Sequence, residues 1–513
     1  MTRPAAWAGP VAFLVLWQGL ALASGGLLLT GPVGVAQWLW SNPGLAGRAM
    51  GVTLANAAWG CALGNAAAIG LAGVAVIWPR LLNLVGGLAL VVFCLPLVAT
   101  GPILRVLMGP GQGPQIVLAA LAVYYTTLIP LLAGLRAAPR AWFDLVQIHG
   151  RGRWAELVHI RARASLPYLL AGLQISAPAA ILGAMVGEFT GAERGLGVLT
   201  IRFTRDLDIP ALWAVAALAA GLSIAVYAAI GWLGRRILPD PPPVILAPPR
   251  LIRGSPHRKM ADAALLVAVV LALWWVGTEG LDLNRFFAKR PPDVAAALIW
   301  APDAGATRAT LWAATVQTLV LAIPGYGAGL ALGAGLAILL ALRPALSALM
   351  TPIAVALRSI PIVTTAPLIV LLLGRGAAGT ISLVALMVFF PTFVACQHGL
   401  RQAPGPILDL FRSYASGPLR QMLDVRIPAM LPALFASARM SVPAAILAAT
   451  VVEWLATGRG LGNLMALSAS VSDYAMLWLT VAAVTLISGV LYGGVSMAER
   501  RVLAVFAPEQ ARP

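Results

Sequence analysis

The chain has 513 residues, of which 60% are hydrophobic and only 10% are charged. Soluble globular proteins carry roughly 25% charged residues, so this composition excludes a soluble chain of such a size and indicates a polytopic membrane protein. The formal net charge of +17 is typical of basic residues in cytoplasmic loops beside anionic lipid, since no basic stretch has the interleaved aromatic residues of a nucleic-acid-binding surface.

Apolar runs of about 20 residues predict an all-α protein with about twelve transmembrane helices, six in each half. The first run, from Val11 to Thr30, is longer than the roughly 7–15 apolar residues of a signal peptide, so we interpret it as an uncleaved first span. The predicted spans of the first half are 11–30, 52–78, 82–107, 115–135, 166–188 and 211–233. Those of the second half are 262–279, 317–342, 347–372, 378–399, 431–453 and 476–497.

The two halves form an internal repeat, because an offset of 265 residues aligns them over most of their length. Thr53 corresponds to Thr318, and Glu188 corresponds to Glu453. The other matched segments are GLR at 134–136 and 399–401, PAAIL at 178–182 and 443–447, GLG at 195–197 and 460–462, and LW at 212–213 and 477–478. An even number of spans in each half predicts parallel repeats related by a pseudo-two-fold axis along the membrane normal.

Residues 235–259 separate the halves and contain the run PDPPP followed by a basic stretch, which predicts an extended linker. The predicted domains are a first six-span repeat at 1–238, a Pro-rich basic cytoplasmic linker at 239–260 and a second six-span repeat at 261–505. Basic residues also cluster in the long loop after the fourth span of each half. Their distribution places these loops and both termini in the cytoplasm, although Arg285, Lys289 and Arg290 then lie outside.

The loop between the fourth and fifth spans is about 30 residues long in each half and has a helical pattern. In the second copy Ile407, Leu410, Phe411 and Tyr414 recur at spacings of three and four residues. Two short helices separated by a small residue would present an apolar surface beneath the membrane. The alternative is a solvated basic loop with interfacial helices.

The segments DLVQIHGRGRWAELVHIRARASLP (144–167) and DLFRSYASGPLRQMLDVRIPAMLP (409–432) resemble the cytoplasmic coupling loop of ABC importer permeases, where Glu-Ala-Ala precedes a glycine turn and prolines. The segments GEFTGAERGLGVL (187–199), VEWLATGRGLGNL (452–464) and RSIPIVTTAPLIVLLLGRG (358–376) are similar to the nitrate, sulfonate and taurine importer permeases. In both copies an aspartate replaces the family's glutamate, and the second copy lacks the turn glycine. The coupling residues that the resemblance identifies are Asp144, Leu145, Gly150, Pro167, Asp409, Phe411, Ala415, Pro428 and Pro432.

The resemblance implies two permease domains of the type I ABC importer class fused in tandem in a bacterial inner (plasma) membrane. It implies a path for a small solute, an anion such as a sulfonate, taurine or nitrate, while an uncharged pyrimidine also fits the family. The implied partners are ABC ATPase subunits, two copies per chain, and a periplasmic or lipid-anchored substrate-binding protein. Neither Lys259 nor Lys289 completes a GxxxxGK[ST] phosphate loop, so we expect ATP on the partner, no cofactor in this chain and no catalysis by it.

Prolines interrupt the third span of each half, which favours either a cavity-lining helix or a simple packing kink. The glutamates at the outer ends of the fifth spans either line the path or have a local structural role, in which each caps its span or pairs with Arg194 or Arg459. The candidate path residues are Pro96, Thr100, Pro102, Pro361, Thr364, Thr365, Pro367, Glu188 and Glu453. Cysteine and histidine spacing predicts no metal site.

Two alternatives remain at this stage. A secondary active transporter with two parallel six-helix halves needs ionisable residues within its spans to couple an ion, and Arg439 is the nearest case. A channel needs a polar ring that the sequence does not reveal.

Overall fold

The computed structural model describes residues 3–25, 29–238, 256–343 and 362–506. Within these ranges every regular element is helical, which confirms the all-α prediction. Nine of the described helices are long and apolar enough to cross a membrane, or ten if one bent pair counts as a single span. The chain is therefore a polytopic membrane protein.

The described part of the first half contains eleven α-helices, and a π-helical segment (Glu156–Arg161) joins α8 to α9. They are α1 (Arg3–Ala23), α2 (Pro32–Ser41), α3 (Pro43–Ile77), α4 (Leu82–Cys94), α5 (Leu97–Met108), α6 (Gly113–Gly134), α7 (Arg140–Ile148), α8 (Arg153–Ala155), α9 (Ala162–Phe189), α10 (Leu196–Arg205) and α11 (Ile209–Ile237).

The described part of the second half contains ten more, with π-helical segments after α18 (Met422–Arg426) and after α19 (Glu453–Thr457). They are α12 (Pro256–Gly280), α13 (Pro291–Ile299), α14 (Ala304–Leu342), α15 (Ile362–Leu373), α16 (Ala377–Arg401), α17 (Gly405–Ser413), α18 (Pro418–Gln421), α19 (Ile427–Val452), α20 (Gly460–Ser470) and α21 (Tyr474–Phe506). α12 begins within the predicted linker, whose residues 239–255 lie outside the described ranges.

The repeat is visible in the helix boundaries. α5 ends at 108 and α15 ends at 373, an offset of 265. The same offset relates α7 (140–148) to α17 (405–413). Because short helices keep the same bounds in both halves, the repeated sequence encodes a repeated structure.

The predicted third span at 82–107 is not one straight helix. The axes of the two helices in this segment meet at 91°. Proline disfavours the helical conformation in the residue before it, and Leu95, which precedes Pro96, is extended with φ −64° and ψ 130°. The length of an apolar run predicts a span but does not reveal such a change of direction within it.

Other predicted spans also differ from the helices. α1 ends at Ala23, so its apolar part is shorter than the predicted 11–30. The short helices α2 and α13, which precede the long helices α3 and α14, were not predicted. The segment 347–361 of the predicted span 347–372 lies outside the described residues.

Glycines allow the long helices of each half to approach closely. Gly60 and Gly64 of α3 form a GxxxG motif, and a Cβ added at Gly64 would meet the Ala120 carbonyl oxygen of α6. The equivalent Gly325 and Gly329 of α14 face α16 in the same way. α9 and α19 pack on these pairs, and α11 and α21 pack on α9 and α19. Each half is thus built around the same helix bundle.

The halves meet through reciprocal contacts. α5 of the first half packs against α19, α20 and α21 of the second half. α15, the counterpart of α5, packs against α9, α10 and α11 of the first half. This exchange is the pattern that a pseudo-two-fold axis between the halves produces.

Candidate translocation path and coupling surface

A cavity of about 160 Å³ lies between the two halves at the bend that joins α4 to α5. Three pairs of repeat-equivalent residues line it, which places the cavity at the pseudo-two-fold axis. These pairs are Ala122 and Met387, Ala179 and Ala444, and Leu182 and Leu447. The first half also contributes Phe93, Cys94, Pro96 and Thr126, and the second half contributes Val484 and Ser488.

The structure brings one of the predicted path residues, Pro96, to the wall of this cavity. Thr100 lies further along α5 and donates a 3.0 Å hydrogen bond to the Leu97 carbonyl, and Pro102 lies within α5. In α15, Thr364 is buried and Thr365 is half-buried, and Pro367 lies within the helix. Pro361 lies outside the described residues.

Sequence reasoning missed most of the residues that line the cavity. The repeated PAAIL segment indicates the duplication of the chain, and residues of both copies form the wall. The PAAIL repeat could have indicated the cavity, because it places a proline and two alanines at equivalent positions of two apolar spans. Small side chains leave space where helices meet. Phe93, Thr126 and Ser488 carry no distinguishing sequence pattern.

Glu188 and Glu453 lie in a buried network that recurs in both halves and are not among the cavity-lining residues. Glu188 Oε2 accepts hydrogen bonds from Thr53 Oγ1 at 2.9 Å and from the Gly197 N–H at 2.8 Å. Thr53 Oγ1 in turn accepts a 2.9 Å bond from the Leu196 N–H. The carboxylate and the hydroxyl therefore bind two free N–H groups in the first turn of α10.

The second half repeats this network atom for atom. Glu453 Oε2 accepts from Thr318 Oγ1 and from the Gly462 N–H, each at 2.9 Å. The Leu461 N–H donates to Thr318 Oγ1 at 2.9 Å. The glutamates thus cap the following helix locally, and in the described residues no ion pair joins either to an arginine.

The loops after the fourth spans contain the two short helical segments expected from their sequence, namely α7 with α8 and α17 with α18. α7 is held at its inner face, because the Arg161 guanidinium lies 4.6 Å from the Phe143 ring centroid and donates to the Leu135 carbonyl. At the position equivalent to Phe143, Leu408 of α17 is buried.

The outer faces of these helices are apolar and exposed. Leu145 of α7 is 58% exposed and its counterpart Leu410 of α17 is 55% exposed. The other large exposed side chains of these helical segments are Trp142, Ile148 and Trp154 in the first half and Ile407, Tyr414 and Leu419 in the second. Phe411, predicted to belong to this face, is half-buried. An exposed apolar surface on the face that carries the basic loops marks a site for a protein or membrane partner.

The turns that end α7 and α17 have the same backbone geometry. In α7 the Gly150 N–H donates to the Gln147 carbonyl and the Arg151 N–H to the Val146 carbonyl, a Schellman motif. Gly150 has φ +66°, and Ala415, at the same place after α17, has φ +54°. The second turn therefore places a side chain in the left-handed region, which favours glycine.

The remaining predicted coupling residues surround these helices. Asp144 is exposed, and Asp409 forms an ion pair of 3.0 Å with Arg412 one turn later. Pro428 lies in the first turn of α19, while Pro167 and Pro432 lie inside α9 and α19. The prolines thus stand where the membrane helices begin, directly after the π-helical segments.

Known proteins resemble each half of this chain. The family model for the binding-protein-dependent transport system inner membrane component matches residues 64–239 and 329–503. A probable ABC transporter permease protein of Haemophilus influenzae is 35% identical over 208 residues, which are 40% of this chain and 82% of that relative. No solved structure matches the chain significantly.

Two further relatives carry transport functions in their names. The riboflavin transport system permease protein of Chloroflexus aurantiacus is 32% identical over 28% of this chain and 54% of its own length. The nitrate import permease protein of Synechocystis is 23% identical over 40% of this chain and 75% of its own length. Because the family model matches more than half of the chain, once in each repeat, the chain belongs to the binding-protein-dependent transport system inner membrane component family, with two copies of the family domain in tandem.

Proposed function

We propose that this chain is the complete membrane permease of an ATP-driven importer, with both halves forming one translocation path. The path opens alternately to the two sides as the halves rock about the interface formed by α5 and α15. ATP is hydrolysed by two copies of a separate ABC ATPase, so this chain is not itself an enzyme and carries no cofactor. A periplasmic or lipid-anchored binding protein delivers the solute.

The observation that carries this proposal is the pair of equivalent apolar faces on α7 and α17. Leu145 and Leu410 are related by the repeat offset and are exposed to nearly the same extent. Two identical ATPase subunits require two such surfaces related by a two-fold axis. The inner faces of α7 and α17 are packed through Phe143 and Leu408. A displacement of the docked subunit is therefore transmitted to α9 and α19, the next long helices in the chain.

The proposed orientation follows from the same helices. With α7 and α17 in the cytoplasm of a bacterial cell, α9 crosses the inner membrane and ends at Phe189, next to Glu188, on the periplasmic side. The network of Glu188 and the first turn of α10 then lies at the face that meets the binding protein. Both termini lie in the cytoplasm.

Two solute classes fit the proposal. The resemblance to sulfonate, taurine and nitrate permeases favours a small anion. The described lining of the central cavity contains no charged side chain, and this observation favours an uncharged solute as the second candidate. Among the relatives, one is a nitrate import permease and another a riboflavin transport permease.

The secondary-transporter alternative depends on an unneutralised ionisable residue in a span. Arg439 of α19, the candidate for that role, lies 3.0 Å from the Glu499 carboxylate of α21, and both side chains are largely buried. A buried charge neutralised in this way is costly to unpair and does not by itself favour ion coupling.

Substitution of Leu145 and Leu410 by aspartate tests the docking role. The chain would be purified with its co-expressed ATPase, and the retained ATPase and its hydrolysis rate measured. An unpaired charge in a docking face costs about 1–3 kcal/mol, so each substitution should weaken binding about tenfold. The matched control is Gln402→Asp, which adds the same charge at an exposed polar position just before α17. Retention of the ATPase at the wild-type level by the double variant would contradict the proposal.

A further inference from the structure

The central cavity has the size of one small ring. Its volume is about 160 Å³, and an apolar protein cavity of about 150 Å³ stays dry and accepts a benzene-sized molecule. A hydrated anion with its first water shell does not fit such a space. A solute that fills the cavity therefore exchanges water for contact with the wall.

The wall offers almost no compensation for a charge. Its described residues are apolar apart from a cysteine and two hydroxyl side chains, Thr126 of α6 and Ser488 of α21. Transfer of a dehydrated ion to such surroundings is far less favourable than transfer of a neutral polar molecule, because no opposite charge replaces the lost water. The lining therefore favours uncharged solutes over ions of the same size.

Among the described residues, one hydroxyl of the wall has no hydrogen-bond partner. The hydroxyl of Thr126 donates a 2.8 Å hydrogen bond to the Val123 carbonyl, as hydroxyl groups in membrane helices commonly do. The Ser488 side chain is buried, and its Oγ has no hydrogen-bond partner among the described residues. Its repeat counterpart Ser223 in α11 is also buried and also lacks one. A buried hydroxyl is normally satisfied. Because the Ser488 Oγ is itself enclosed, its side chain must rotate toward the cavity before a ligand can become its partner.

We propose that the cavity is a transit site for an uncharged solute that presents a single planar ring, with the Ser488 hydroxyl as its hydrogen-bonding partner. The apolar walls from the two PAAIL segments contact the ring, and Phe93, whose own ring stacks on Tyr125 with 4.0 Å between the centroids, borders the same space. This inference rests on the proposed function, because it names the solute class of the same path. It excludes nitrate and small sulfonates as solutes that cross in ionised form through this site.

Cys94 lines the cavity and provides a native probe of its charge selectivity. The other two cysteines, Cys61 and Cys396, would be replaced by alanine, and the chain with its ATPase placed in lipid nanodiscs. Three methanethiosulfonate reagents of similar size would then be applied: a neutral hydroxyethyl, an anionic sulfonatoethyl and a cationic trimethylammonium-ethyl reagent. Labelling of Cys94 would be followed by peptide mass spectrometry with and without ATP, and each rate divided by that of free 2-mercaptoethanol.

The expected result is a normalised rate at least tenfold higher for the neutral reagent than for either charged reagent. Ser488→Arg should raise the rate of the anionic reagent relative to the neutral one. Should that variant fail to insert, Thr126→Arg places the same charge in the wall from the other half. Equal rates for the anionic and neutral reagents in the parent chain would overturn the inference.

Absence of labelling by all three reagents in every nucleotide state would overturn it as well, because the cavity would then not lie on the path. Neither result touches the proposed function, which depends on retention of the ATPase by the α7 and α17 surfaces. If the Leu145→Asp, Leu410→Asp double variant keeps its ATPase while Cys94 still reacts faster with the neutral reagent, the proposed function fails and the inferred solute class stands.

Discussion

The Thr53 hydroxyl donates a 2.9 Å hydrogen bond to the Glu188 carboxylate across 135 positions of sequence. Thr318 and Glu453 repeat the bond at the same distance and separation in the other half. Since each hydroxyl also accepts from a backbone N–H at the start of the following helix, one side chain connects three helices. The duplicated threonine and glutamate thus have a structural role that their positions in the sequence alone do not reveal.

Thr53→Val should destabilise the chain. Valine has nearly the shape of threonine but leaves the Leu196 N–H and one carboxylate bond of Glu188 unsatisfied in a buried site, at a cost of about 1–3 kcal/mol. Thr53→Ser keeps the hydroxyl and is the matched control. The unfolding temperature of the purified protein in detergent measures the difference, and equal values for the valine and serine variants would show that the network does not contribute to stability.

The turns after α7 and α17 predict opposite effects of opposite substitutions. Ala415→Gly removes a side chain from a left-handed residue, and Gly150→Ala introduces one where its Cβ would meet no other atom within 4 Å. The left-handed conformation costs a non-glycine residue about 1–2 kcal/mol, partly offset by the greater freedom of glycine in the unfolded chain. Amide hydrogen exchange in α17 should slow in the first variant, and exchange in α7 should quicken in the second. Changes of the same sign in both helices would contradict this account.

Much of the architecture was predictable because the repeat is in register. The composition indicated the membrane, and residues 144–150 and 409–415 located the short helices α7 and α17. The bend at Pro96 was predicted only as an interruption, since apolar run length gives no direction. The cavity could not be foreseen, because Phe93, Thr126 and Ser488 come together only through packing of helices from both halves.

The assignment of Phe411 shows the limit of helical periodicity. Its spacing placed it with Leu410 on the apolar face, but the side chain is half-buried and its carbonyl accepts the Ser416 N–H that closes the turn. Phe411→Asp should therefore loosen α17 itself, with faster amide exchange there, in addition to weakening ATPase binding. Leu410→Asp should weaken binding with little change in that exchange.

The ion pair of Arg439 and Glu499 is specific to the second half, because Gln174 and Gly234 occupy the equivalent positions. Replacement of either partner removes this ion pair from a largely buried site, so Arg439→Gln and Glu499→Gln should each cost about 3 kcal/mol of stability. The double variant should recover at least half of that loss. A double variant whose destabilisation equals the sum of the two single losses would show that the pair is not coupled.

The proposed topology has a simple test at the C-terminus. A reporter enzyme that is active only in the periplasm, fused after Pro513, should give no activity, whereas the same reporter inserted between Leu281 and Asp282, ahead of α13, should be active. The prediction follows from the basic loops and the even number of spans. Activity of the C-terminal fusion would reverse the orientation and place α7 and α17 outside the cell.

We propose that one chain supplies both halves of an importer permease and both docking sites for its ATPase. Native mass spectrometry of the complex, released from detergent after co-expression with the ATPase, measures the number of copies of each chain. We expect a mass equal to one copy of this chain and two copies of the ATPase, and loss of the ATPase from the Leu145→Asp, Leu410→Asp double variant. A complex with two copies of this chain for each ATPase pair would contradict it.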